Sequence, residues 1–158
     1  MQRFLYFLFT NILLTTKQNR LLLEGEHAMA ILSTKVILPC SIQEAWDLVT
    51  TVEKYTWRSD LSKTEKINER QFVEYTKDGY VTNFTITKSE PYKRWEFDMK
   101  NGSMTGHWGG IFTEKGEQTE IDFTEEVNAK IFLMKPLVKF YLKKQQALFI
   151  RDLKNALS

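Results

Sequence analysis

PCSIQEAWDLVTTVEKYTWRSDLSKTEKI, residues 39–67, contains the transitions that decide the fold. Pro39 ends a β-rich run, Ala30 to Leu38, that carries Ile31, Val36, Ile37 and Leu38 and predicts a strand. Ser41 then stands three residues before Glu44, the S-x-x-E spacing of a capping box that opens a helix. Behind it Ile42, Ala45, Trp46 and Val49 recur at helical spacing. A short helical turn is expected around Val52 to Tyr55, leading into Trp57-Arg58-Ser59-Asp60. From Lys63 onward the apolar period drops from helical to two.

That second period persists for most of the remaining chain. Strands are predicted at Thr64–Asn68, Phe72–Lys77, Tyr80–Ser89, Arg94–Lys100, Ser103–Glu114 and Glu120–Lys130. The links between them (Asp78-Gly79, Pro91, Asn101-Gly102 and Lys115-Gly116-Glu117) are hairpin material, so six strands follow one another as an antiparallel meander. Pro136 suits the first turn of a closing helix that runs to about Leu157. The fold class is α+β, in the order β-α-α-β6-α, and with no repeat or linker it forms one domain over residues 29–158.

In this order the quoted stretch resembles the opening of the START-like, or SRPBCC, superfamily: the polyketide cyclase/dehydrase and lipid-transport proteins with a helix-grip fold. Glu90-Pro-Tyr-Lys-Arg-Trp-Glu-Phe97 is similar to that superfamily's approach to its mid-sheet strand. KPLVKFYLKKQQALFIRDLKNAL, residues 135–157, is similar to its C-terminal helix. The resemblance covers about Met29 to Leu157 and implies a curved antiparallel sheet wrapped around a long C-terminal helix, with ligands held between them. It does not choose among hydrophobic-ligand carriers, cyclase or dehydratase enzymes and co-chaperone-like protein-binding modules.

Composition narrows the classes. The 158 residues include 22 Lys and Arg against 20 Asp and Glu, a net charge of +2, too balanced for a nucleic-acid surface. One cysteine, Cys40, and two histidines, His27 and His107, argue against a disulfide and against a Cys- or His-based metal site; no cofactor is expected. Aromatic residues make up 13% of the chain, enough to fill a core or to line a broad cavity.

Residues 1–28 differ from the rest. The apolar run MQRFLYFLFTNILL is too short and too interrupted, by Thr10 and Asn11, to span a bilayer. No small-x-small cleavage site follows it directly, as a signal peptide would require, although Ala28-Met29-Ala30 lies further on. Glu24-Gly25-Glu26 admits the codons GAA-GGA-GAA, which contain a purine-rich ribosome-binding element just upstream of Met29. The leader therefore reads as upstream sequence translated from a mis-called start, with a signal peptide as the alternative. A cytoplasmic monomer or weak dimer without stable membrane insertion is expected.

Alternation marks the inward side chains. Trp95, Phe97 and Met99 oppose Glu96, Asp98 and Lys100; Met104, Trp108 and Phe112 oppose Thr105, His107 and Thr113. Ile121, Phe123 and Val127 share a register with Glu125, which points inward unless a β-bulge turns it out. Phe84 and Ile86 share a face with Tyr80 and Thr82. On the closing helix, Val138, Tyr141, Leu142, Leu148, Phe149, Leu153 and Ala156 gather on one face, with Gln145 near its centre and Gln146 away from it. Asp152 lies within the apolar arc but near enough to the helix end to be solvated. The expected cavity set is Trp57, Arg58, Tyr75, Phe84, Trp95, Phe97, Trp108, Phe123, Glu125, Tyr141, Gln145 and Phe149, around a small apolar ligand.

No nucleophile–base pair is visible: His107 faces outward, and Cys40 has no evident base, though a helix N-terminus beside it could lower its pKa. A cofactor-free cyclase or dehydratase would need only one acid or base, which Glu125 or Asp152 could supply. Gly106, Gly109 and Gly110 sit inside a strand and so read as bends or bulges, not as a phosphate loop.

Overall fold

Seven strands and two helices form in the predicted order in a computed structural model that describes residues 28–129 and 135–157. β1 (Ala28–Leu38) is followed by α1 (Ile42–Thr50), a single 3-10 turn at Tyr55–Trp57, and the strands β2 (Leu61–Lys66), β3 (Gln71–Thr76), β4 (Val81–Glu90), β5 (Arg94–Lys100), β6 (Met104–Lys115) and β7 (Gln118–Ala129). The chain closes with α2, Lys135–Ala156. The second helical element is thus one 3-10 turn. The expectation for the leader concerns residues that, apart from Ala28, lie outside the described ones.

The capping box at α1 forms in full: the Glu44 backbone N–H donates to Ser41 Oγ, and the Ser41 backbone N–H donates to Glu44 Oε2 at 2.9 Å. The sheet order is β1-β7-β6-β5-β4-β3-β2, antiparallel throughout, so β1 and β2 are its edges. The curved sheet closes over α2 in the helix-grip arrangement.

Register sets which residues look inward together. Phe97 pairs with Trp108, Trp108 with Glu125, and Glu125 with Leu32, one inward row crossing four strands. The next row runs Trp95, Gly110, Phe123, Thr34. Glycine does not bulge the strand here: β6 pairs without a register shift on both sides. A Cβ on Gly110 would lie 2.5 Å from Trp108 Cη2, so the glycine is the bed on which the indole rests. At Gly106 a Cβ would lie 2.5 Å from the Glu126 carbonyl oxygen, a close approach of backbone to backbone. The bends or bulges expected at Gly106, Gly109 and Gly110 do not form: Gly106 and Gly110 are close-packing glycines in a regular strand, and a Cβ on Gly109 would meet only the Glu96 side chain, at 3.5 Å.

At one end α1 seals the sheet. Trp46 packs edge-on against Phe112, with ring centroids 5.1 Å apart, among fully buried Leu38, Ala45, Ile121 and Leu153. Thr119, also fully buried, donates its hydroxyl to the Cys40 carbonyl oxygen at 3.0 Å.

Candidate ligand cavity

Beyond that sealed end the space between sheet and α2 stays open as a cavity of about 430 Å³. Its floor is aromatic. Phe97 lies parallel to Trp108 at 5.1 Å and edge-on to Trp95 at 5.0 Å, while Trp108 stacks on Phe123 at 5.7 Å. Phe84 continues the floor, backed by Phe72 stacked on it at 4.7 Å. Phe149 and Tyr141 come down from α2, and Trp57 comes from the 3-10 turn, edge-on to Phe149 at 5.4 Å.

Four charged residues line the cavity among those described: Arg58, Asp60, Glu74 and Glu125. Arg58 donates through Nε and Nη2 to the two oxygens of Asp60 at 3.0 and 2.9 Å, and its Nη1 lies 3.8 Å from Glu74. Its guanidinium also covers the Phe149 ring at 5.3 Å. Burial pushes the Glu74 carboxyl above the ordinary carboxylate range; Arg58 opposes the rise, and Asp60 adds to it. Burial likewise raises Glu125, opposed by a hydrogen bond from Gln146 and, more weakly, by Arg58.

Of the twelve residues expected at the cavity, the structure brings eleven together around it: Trp57 and Arg58 from the turn, Phe84 from β4, Trp95 and Phe97 from β5, Trp108 from β6, Phe123 and Glu125 from β7, and Tyr141, Gln145 and Phe149 from α2. Tyr75 is placed elsewhere. On β3 it is Glu74 and Thr76 that line the cavity, so Tyr75 points to the outer face, where its hydroxyl lies 3.3 Å from Glu65 and Lys63 rests over its ring. Glu125 is turned inward, on a β7 without a bulge.

Two side chains of α2 also depart from expectation. Gln146 is buried: its Nε2 donates to the Leu32 carbonyl at 3.2 Å and to Glu125 at 3.4 Å, and its Oε1 accepts from Thr34 at 2.6 Å. The signal was present, since Leu142, Gln146, Phe149 and Leu153 fall at steps of four, three and four, one helical stripe. Asp152 is not solvated but 4% exposed, accepting from the backbone N–H and hydroxyl of Ser59 at 2.7 and 2.6 Å. Burial would raise its pKa, but Ser59 and Arg151 outweigh burial and hold it below the usual value. Ala156, in the apolar arc, is exposed, while Leu157 beside it packs against the core.

Elsewhere the chemistry is sparse. The Cys40 thiol is raised in pKa, first by burial and then by Glu44, so the helix terminus does not activate it. His107 faces outward, hydrogen-bonded to Asp98 at 2.7 Å. Among the described residues no group of three or more His, Cys, Asp or Glu could hold a metal ion, and no helix is long and apolar enough to cross a membrane.

Residues 29–158 match the family described as polyketide cyclase / dehydrase and lipid transport, and the chain belongs to that family. Its fold is similar to a START superfamily protein from Mycobacterium smegmatis (TM-score 0.75, 12% identity, 84% of this chain and 97% of that one). It is also similar to a conserved protein from Geobacillus kaustophilus (TM-score 0.71, 12% identity, 81% and 95%). DynU16, a protein of the dynemicin biosynthetic locus, shares the fold over 80% of this chain and 46% of its own, with a TM-score of 0.60 and 18% identity. No curated protein matches the sequence.

Proposed function

We propose that this protein binds and carries a small, largely apolar molecule between its sheet and α2. The observation behind this reading is the cavity itself. At about 430 Å³ the space lies within the usual range of small-molecule pockets, about 300–1,000 Å³. Close-packed interiors leave few voids larger than a water molecule. A fold that had only to be stable would fill such a space, so it holds water or a ligand, and its aromatic floor favours an apolar one.

Native mass spectrometry of freshly purified protein, with extraction and identification of what it carries, is the test. A co-purifying apolar molecule, or tight uptake of an apolar fluorescent probe that weakens in Trp108→Ala, is the expected result. Protein that carries nothing and takes up no such probe overturns the reading.

A second reading, a cofactor-free cyclase or dehydratase, draws on Glu125. It is a carboxyl inside an apolar cavity with a raised pKa, which suits a general acid or base. Asp152 is the weaker candidate, being tied to Ser59 and Arg151. Turnover of a polyketide-like substrate, abolished in Glu125→Gln while binding persists, would support the enzyme.

A further inference from the structure

The charges inside the cavity do not balance. One guanidinium, Arg58, faces three carboxyl groups. Asp60 takes the fork of Arg58 in two hydrogen bonds, and Glu74 stands at the remaining nitrogen. Glu125 has no cation within ion-pair distance among the described residues; its hydrogen-bond donor is the neutral amide of Gln146, at 3.4 Å. An unpaired carboxylate in such surroundings is costly, and it either takes a proton or recruits a positive charge.

The surroundings of Glu125 favour the positive charge. Trp108 is its direct cross-strand partner and Phe123 precedes it by two on the same face, so both rings stand beside it on the cavity floor. Trp108 stacks on Phe97 at 5.1 Å and on Phe123 at 5.7 Å, and Phe149 carries the Arg58 guanidinium, so these rings supply apolar contact. The attraction for a positive charge comes from the carboxyl groups, which outnumber the one guanidinium among the residues described around the cavity. Gln146, fixed by Thr34 and the Leu32 carbonyl, holds the carboxyl toward the cavity from α2.

We propose that the cavity selects an apolar molecule carrying a protonated amine, with the Glu125 carboxylate as its counter-charge and the rings of Trp108 and Phe123 beside it. The proposal rests on the ligand-binding reading above and narrows it. The raised pKa of Glu125 without ligand is the expected counterpart, since burial disfavours the carboxylate until a cation arrives.

Three probes of one shape test it: 2-(1-naphthyl)ethylamine, 2-(1-naphthyl)ethanol and 1-naphthylacetate, titrated by calorimetry near neutral pH into the full chain. The amine should bind about tenfold or more tighter than the alcohol, a difference of about 1.4 kcal/mol, and the carboxylate should bind weakest. In Glu125→Gln the amine's advantage should vanish while the alcohol's affinity holds. Equal binding of amine and alcohol, or tighter binding of the carboxylate, overturns the proposal and leaves the carrier reading standing. Failure of all three to bind overturns the carrier reading and this proposal with it. The ranking in the unmodified protein decides the matter even if the variant does not fold.

Discussion

The same two strands, β6 and β7, border two different interiors. Around Phe112 and Ile121 they meet α1, and Trp46, Leu38 and Leu153 close the space solid. Farther along, at Trp108, Phe123, Glu125 and Val127, they face the open cavity. The alternation of side chains is alike in both places; what differs is the element overhead. The nine-residue α1 lays Ala45 and Trp46 over one end and reaches the cavity with Val49. Over the other end α2 is tethered by polar side chains, Gln146 to Thr34 and Leu32, and Asp152 to Ser59. Beside these polar contacts Val138 and Leu142 pack on Ala30, Val127 and Ala129, so α2 rests on β1 and β7 while the aromatic floor of β5 and β6 faces the cavity.

The largest effect should come from truncating the same residue type on each side of that divide. Trp46 and Trp108 are equally buried, at 7% exposure. Trp46→Ala leaves a hole in packed core and should cost about 3–5 kcal/mol. Trp108→Ala opens into a space that already admits water or ligand, so the void term falls away and the loss should be nearer about 1–2 kcal/mol. Urea unfolding of both variants checks this. Equal losses would mean that the floor under Trp108 behaves as solid core.

Much of this division was legible in the sequence. Strict alternation on β5 to β7 identified the floor, because with one face wet and one face buried a slip of one residue would expose every ring. β3 was harder: Phe72 and Val73 are adjacent and both buried, so alternation did not reveal its inner face, and Tyr75 was placed inward in place of Glu74. On α2 the misplaced residues were polar. Gln146 and Asp152 look like solvent-facing side chains until Thr34 and Ser59, some ninety residues or more away in sequence, supply their partners. Local periodicity carries no record of such partners. The whole acidic excess of the cavity was hidden likewise, since Asp60 and Glu74 sit in segments whose charges look ordinary.

Two glycines of β6 offer a finer contrast. In Gly106→Ala the new methyl meets the Glu126 carbonyl oxygen at 2.5 Å, and relief requires the strands to part. In Gly110→Ala it meets the Trp108 indole at the same distance, but that ring can swing toward the cavity. Overpacking of this kind costs about 1–3 kcal/mol, and Gly106→Ala should fall at the upper end and Gly110→Ala at the lower. Probe binding should fall in Gly110→Ala, whose displaced indole takes up ligand space. Gly110→Ala protein that binds as well as the parent would show that the ring does not enter the cavity.

The smallest effect contrasts a carboxyl of the open cavity with one of the tether. Glu125 has a raised pKa, so its contribution to stability is fully present below the ordinary glutamate value and is lost as pH rises through the raised one. Asp152 has a lowered pKa, so its contribution is present above the ordinary aspartate value and is lost only as pH falls through the lowered one. Glu125→Gln keeps an oxygen that can accept from Gln146 and removes the buried charge. It should raise Tm by about 1–3 °C near neutral pH, the shift expected for somewhat under 1 kcal/mol. That gain should close as the pH falls toward about 4.3, where the parent's Glu125 is protonated too. Asp152→Asn should lower Tm near neutral pH and converge with the parent only in stronger acid, below about pH 3.9. Thermal melts of both variants across this range would display the two opposite slopes. A Glu125→Gln protein less stable than the parent near neutral pH would place Glu125 among the tethers, and the cavity would then have lost its uncompensated charge.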